Sequence, residues 1–289
     1  MEHTFHDVYE TYLRGELHPP YLEKLWENTT WVQRNVQIAT VGCFDTVGAL
    51  GIPGFFAAGV NARKYGFHDT ALSKKVRNAY HALALGEKRK PFAPTLWVGN
   101  GVTRLRQTWF PGVHADIGGG YPDREVADMV LAWMVGCVQN ARPEDQLEFD
   151  REFLREVIRT DGVNEWAAGE VGKSYSGLMR FLGDRVRCPG MGYNEKVHVS
   201  VRVREKVVAG WKCKALKDWR WDPVGKVWRG PQGRLMEEDS LSEIEVELSG
   251  KNVVEKLLNA AFEGRVEQEV KRELSAKVHT AGPVQELEL

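Results

Sequence analysis

Two ionisable residues sit where catalytic groups of an α/β protein are expected. Asp45 lies in FDTVG and His114 in GVHADIGGGY. Each follows an apolar run that reads as a buried strand, and each opens a Gly-rich segment. In open parallel sheets, sites form beyond the carboxyl ends of the strands. An acid followed later in the chain by a histidine is the order of the last two members of an α/β-hydrolase triad. The carboxylate would orient the imidazole, and the imidazole would move a proton to and from a nucleophile. The same residues have plainer readings. An Asp before Thr can close an Asx-turn, and a histidine in a Gly-rich turn can simply satisfy local backbone. Asp116 is a rival acid, two residues after His114, and reads better as a residue that shapes the loop.

The elements needed to hold such a pair are legible around it. Val36 to Phe44 is almost wholly apolar after Gln37, as expected for a strand buried on both faces. Residues 45–54 hold Gly and Pro at loop density. Residues 70–86 place Leu72, Val76, Ala79, Leu83 and Leu85 near one helical face, which predicts an amphipathic helix closed by Gly86. Thr103 to Phe110 reads as a strand and Pro111 to Tyr121 as a loop. Asp123 is placed to cap a strongly apolar helix over 124–140. Strand, loop and helix thus alternate, which argues for an α/β fold with a mostly parallel sheet flanked by helices.

Further along, a helix is expected over 147–159 and a strand or extended segment over 197–208. A Trp-rich hairpin is expected over 217–229, around Asp222-Pro223-Val224-Gly225. Ser240-Leu241-Ser242-Glu243 resembles a capping box. Short helices are expected within 4–26, and a charged helix over 251–276.

Composition narrows the function classes. The 289 residues are 43% hydrophobic and 27% charged, a globular balance rather than a disordered one. With 39 Lys and Arg against 40 Asp and Glu, no bulk positive field exists to hold nucleic acid. The four Cys show no CxxC pairing and read as buried free thiols. The eight His do not fall at metal-ligand spacings, and no phosphate or dinucleotide loop occurs, so no metal or cofactor is expected. Residues 38–60 are long enough to span a bilayer, but Asp45, Pro53 and five Gly argue against it. The first twenty residues lack the basic and apolar blocks of a signal peptide. A cytoplasmic protein without a transmembrane segment is the expectation.

Four segments, in order, resemble one family: VGCFDTVGALGIP (41–53), AYHALALGEKRKPFAPTLW (79–97), QTWFPGVHADIGGGY (107–121) and EKVHVSVRVR (195–204). It is the α/β-hydrolase family whose bacterial members include type VI secretion phospholipase effectors. The resemblance implies an α/β-hydrolase fold and a Ser-Asp-His triad that cleaves lipid esters. Carried over by position, it makes Asp45 the triad acid and His114 the base. The family nucleophile sits in a Gly-x-Ser-x-Gly elbow before the acid, written GFSRGA. Here no Ser precedes Ser73. GKSYSG (172–177) comes nearest, but it lacks the second Gly and follows His114, so Ser174 reads as a loop residue. The family's early Asp-Gly-Thr segment is also missing.

The chain therefore resembles the C-terminal portion of a family member over residues 1–205, followed by a 206–289 extension with hairpin and charged helix. The N-terminal strands and the nucleophile elbow are expected to be missing. A sheet edge left open in this way would favour self-association. The reading is a lipid or phospholipid ester hydrolase whose acid and base are present and whose Ser is not. The alternative is a non-catalytic remnant or interaction module of the same fold. His198 and Arg202, in the shared EKVHVSVRVR segment, are expected to clamp the extension to the sheet.

Overall fold

A computed structural model describes residues 36–47, 71–158, 166–174 and 183–249, with the single positions Pro20 and Glu23. Apart from those two positions, the helices expected within 4–26 and over 251–276 lie outside the described residues, as does the loop beyond Val47.

Among the described residues seven strands form one mixed sheet: β1 (Ile38–Phe44), β2 (Val76–Ala84), β3 (Arg104–Phe110), β4 (Glu195–His198), β5 (Arg220–Asp222), β6 (Val227–Arg229) and β7 (Leu235–Asp239). Their order is β1-β2-β3-β4-β7-β6-β5. The first five in that order run parallel, whereas the β7–β6 and β6–β5 pairings are antiparallel. The helices are α1 (His114–Gly118), α2 (Glu125–Gln139), α3 (Arg151–Val157), α4 (Val199–Val207) and α5 (Glu243–Ser249). Helix α2 packs Met129, Val130 and Trp133 against Tyr80, Ala82 and Phe110 of the sheet. On the opposite sheet face Leu83, Trp109, Val197 and Trp228 cluster with Leu216 and Trp219.

Three elements depart from the sequence expectation. The segment expected as a helix over 70–86 is strand β2. Its helical spacing is a by-product of burial on both faces: from Asn78 to Leu85 every residue is buried. Parallel ladders to β1 and β3 on either side outweigh the Ala-rich helix propensity. The segment over 197–208 is mostly helix α4 rather than strand. Alternating Val residues also place Val199, Val203 and Val207 at i, i+4 and i+8, and these three pack into the core beneath α2. The loop over 111–121 contains the single-turn helix α1.

Elsewhere the differences are smaller. The helix expected over 147–159 is α3, which starts at Arg151 because the Asp150 side chain accepts from Glu152 and Phe153 N–H. The capping box lies two residues later than expected: Ser242 N–H and hydroxyl both donate to Glu245. The Trp hairpin forms as β5 and β6 with Trp221 opposite Trp228. The thiols are free, but only Cys137 and Cys213 are buried, whereas Cys188 is exposed.

The sheet runs across residue 205. β7 pairs with β4, Arg202 forks onto Glu238, and His198 Nε2 meets Glu245 Oε1 at 3.0 Å. At the other end, β1 has one neighbour among the described residues, and Ile38 and Phe44 are exposed, so β1 is not the doubly buried strand expected from its apolar run.

Candidate active site

Asp45 is the first residue after β1, and His114 is the first residue of α1, just after β3. Their strands are not adjacent, because β2 lies between them. The acid reaches across the end of β2. Its Oδ1 accepts Ala84 N–H at 2.8 Å, and its Oδ2 lies 2.7 Å from His114 Nδ1. Two residues 69 apart in sequence are thus in hydrogen-bond contact.

Glycines allow this approach. Gly86 N–H donates to Gly112 O at 2.7 Å, joining the turns after β2 and β3. A Cβ on Gly86 would stand 2.7 Å from that same oxygen. Asp45 itself adopts a left-handed conformation, φ 47°. It is held there by Asp45 N–H to Ala82 O at 2.7 Å and by Thr46 N–H to His81 Nε2 at 3.0 Å.

Asp45 is fully buried. Burial pushes its carboxyl up, but hydrogen bonds from His114 and Arg187, the Arg187 charge and Ala84 N–H outweigh this. The net effect holds it below the ordinary carboxylate range. Arg187 is the residue that sequence reading missed. Its Nη2 donates to Asp45 Oδ2 at 2.9 Å and its Nη1 to Oδ1. One basic residue in the polar stretch 141–195 carries no signal distinguishing it from a solvated surface cation.

The His114 ring is 32% exposed, and its Nε2 has no partner among the described residues. Phe92 packs edge-on against it, with ring centroids 5.2 Å apart. The His114 backbone N–H reaches Glu87 Oε2 at 3.3 Å. Glu87 is buried, which raises its carboxyl, but hydrogen bonds from Arg89 and its charge, aided by the Ser174 hydroxyl, bring it below the ordinary value. Ser174 is therefore a buried loop residue engaged by Glu87. Asp116 accepts Val113 N–H at 2.7 Å and Gly172 N–H at 3.1 Å, so it ties α1 to the 166–174 loop.

Tail-clamp residues lie apart from this pair. His198 is buried, stacks on Phe110 and holds Ser200 and Glu245. Trp219 and Trp228 are buried, and Arg202 lies over Trp221 at 4.9 Å, so the tryptophans are packed rather than displayed. Two clefts, of about 510 and 490 Å³, lie elsewhere: one beside Gln139, Phe149 and Glu243, the other at the starts of β4 and β7. Among the described residues no three metal-ligating side chains converge, and no helix is long and apolar enough to cross a membrane.

Comparison with known proteins bears on this arrangement. Residues 4–137 match the T6SS phospholipase effector Tle1-like catalytic domain. This is the family suspected from the four segments above. The Tle1-like match includes Asp45 and His114 and ends within α2. Arg187, β4–β7 and the tail clamps lie beyond it. No curated protein and no solved structure matches the chain.

Proposed function

We propose that this chain carries the acid and base of a lipid ester hydrolase, with phospholipid as the substrate class. The observation that carries the reading is the 2.7 Å contact between His114 Nδ1 and Asp45 Oδ2, at the carboxyl ends of a parallel sheet and inside the matched region. Because the acceptor is a carboxylate, Nδ1 carries the proton and Nε2 presents its lone pair. Nε2 would take the proton of an attacking hydroxyl or water as its oxygen adds to the ester carbonyl. The resulting imidazolium would be stabilised by Asp45. It would then return the proton to the alcohol as the carbonyl–oxygen bond breaks.

No Ser before Asp45 can supply the hydroxyl. Water is then the nucleophile open to this chain. That route is slower by about 10⁴–10⁶, the loss seen when one triad member is removed. The runner-up reading, a non-catalytic module of the same fold, is favoured by that missing Ser. β1, which has one neighbour among the described residues, supports self-association under either reading.

The experiment is a short-chain ester assay run beside labelling with a fluorophosphonate probe, on the wild type and on His114→Ala. We expect no labelling and weak hydrolysis that His114→Ala abolishes. Stoichiometric labelling of a Ser would reveal a nucleophile in this chain. Hydrolysis unaffected by His114→Ala would sink the catalytic reading and leave the non-catalytic one.

A further inference from the structure

We infer that Arg187 is the positioning residue of the Asp45–His114 pair, so that the working unit has three residues and extends past the matched region. The inference rests on reading the pair as acid and base. A carboxylate offers about four lone-pair sites. At Asp45 all four are filled. Oδ1 takes Ala84 N–H and Arg187 Nη1, and Oδ2 takes His114 Nδ1 and Arg187 Nη2. Half of the acid's hydrogen bonds therefore come from one guanidinium, whose planar fork fixes the plane of the carboxylate.

The same fork reaches two backbone carbonyls. Nη1 donates to Ala84 O at 2.7 Å and Nη2 to Phe92 O at 2.7 Å. Ala84 is the last residue of β2, and the Phe92 ring backs the His114 imidazole. One cation thus spans the acid, the strand end beneath it and the wall behind the base. Arg187 is buried, at 5% exposure, so it is not placed to hold substrate. The groups facing Asp45 are Arg187, His114 and, behind them, His81. Without Arg187, a fully buried anion would keep two hydrogen bonds. It would then rotate away from His114 or take up a proton.

A purely structural salt bridge would change stability and leave the His114 hydrogen bond alone, which gives the test. The Nδ1 proton of a histidine held by a carboxylate resonates far downfield of backbone amides. Its assignment here follows from its loss in His114→Ala and in Asp45→Asn. In Arg187→Lys the charge stays and the fork is lost. We expect the resonance to persist while its exchange with water quickens by about tenfold, the scale of one hydrogen bond. In Arg187→Met we expect it to vanish, and in Arg187→Ala, which vacates the volume of the lost side chain, to vanish and return on adding ethylguanidinium, with near-UV circular dichroism reporting the fold.

A wild-type resonance and exchange rate in Arg187→Met overturn the inference. If that variant does not fold, Arg187→Lys decides: unchanged exchange overturns it and faster exchange supports it. Loss in Arg187→Ala without rescue, together with unchanged exchange in Arg187→Lys, also overturns it. So does a wild-type protein lacking the resonance. A wild type that shows the resonance but hydrolyses no ester sinks the proposed function and leaves the role of Arg187 standing.

Discussion

His81 and Asp45 show how a single buried side chain can make stability depend on pH. His81 is fully buried in β2, and its Nε2 accepts Thr46 N–H, so its proton sits on Nδ1 and the ring is neutral. Burial pushes its pKa down to about 4, although the Asp45 charge and Gln107 pull the other way. From pH 6.5 down to about 4 the unfolded chain binds a proton that the folded chain refuses. Unfolding therefore gains about 3 kcal/mol across that window, and His81 contributes no pH dependence above it. Asp45, whose carboxyl is depressed, contributes stability above the ordinary carboxylate range that is lost only as pH falls further, through its own folded value. His81→Gln keeps an acceptor for Thr46 N–H and cannot titrate. Urea unfolding at pH 7 and pH 4.5 should show a loss about 2–3 kcal/mol smaller in His81→Gln than in the wild type. Equal losses would show that His81 is not held neutral.

The turn after β3 depends on a glycine at one defined place. Gly112 has φ 116°, and a Cβ there would lie 2.9 Å from both Cβ and Oδ2 of Asp116. Gly101 also has positive φ, 75°, but nothing lies within 4 Å of its Cβ position. Both substitutions to Ala meet backbone strain of about 1 kcal/mol, and only Gly112→Ala also meets a clash. Urea midpoints should place Gly112→Ala at least about 1 kcal/mol below Gly101→Ala. Gly112→Ala should also disturb the Asp116 contacts that hold α1, the element carrying His114. If the two variants are equally stable, close approach is not the reason for Gly112. These turns were legible in the sequence as Gly-rich loops at strand ends. The strand between them was not. The apolar spacing of 70–86 fits a helix as well as a doubly buried strand, and only pairing with β1 and β3 separates the two.

Across the whole molecule, the sheet does not stop where the family resemblance does. β7 lies beyond residue 205, yet its Asp239 accepts Arg106 Nε, Thr108 hydroxyl and Trp133 Nε1 at 2.7–2.9 Å. These donors come from β3 and α2, which also position His114. A chain ending at residue 205 would leave the Trp133 N–H and the Arg106 charge without that carboxylate. An orphaned buried donor costs about 1–3 kcal/mol. The Arg106 side chain is 25% exposed, so its lost ion pair adds less than a fully buried charge would. The core around Trp133 would also lose Leu241 and Val246, and β4 would lose β7 as its neighbour. We expect residues 1–205 alone to lack a cooperative urea transition and a near-UV signal. A truncated chain that unfolds as sharply as the full one would make 205 a true domain boundary.

The sequence alone determined the α/β class, the two loop-borne groups Asp45 and His114, the Trp hairpin and the absence of a Ser before the acid. These are local properties: composition, period and short motifs report which backbone a segment can adopt and which groups it carries. Tertiary structure decided that β2 is a strand, that it separates the strands bearing acid and base, and that Arg187 grips the acid. Each of these depends on partners dozens of residues away: Asp45 and Arg187 are 142 apart. A buried guanidinium and a solvated one have the same letter and the same neighbours in sequence. Only the desolvation of Asp45, which makes a buried anion costly without a cation, sets Arg187 apart from the other basic residues of its polar stretch.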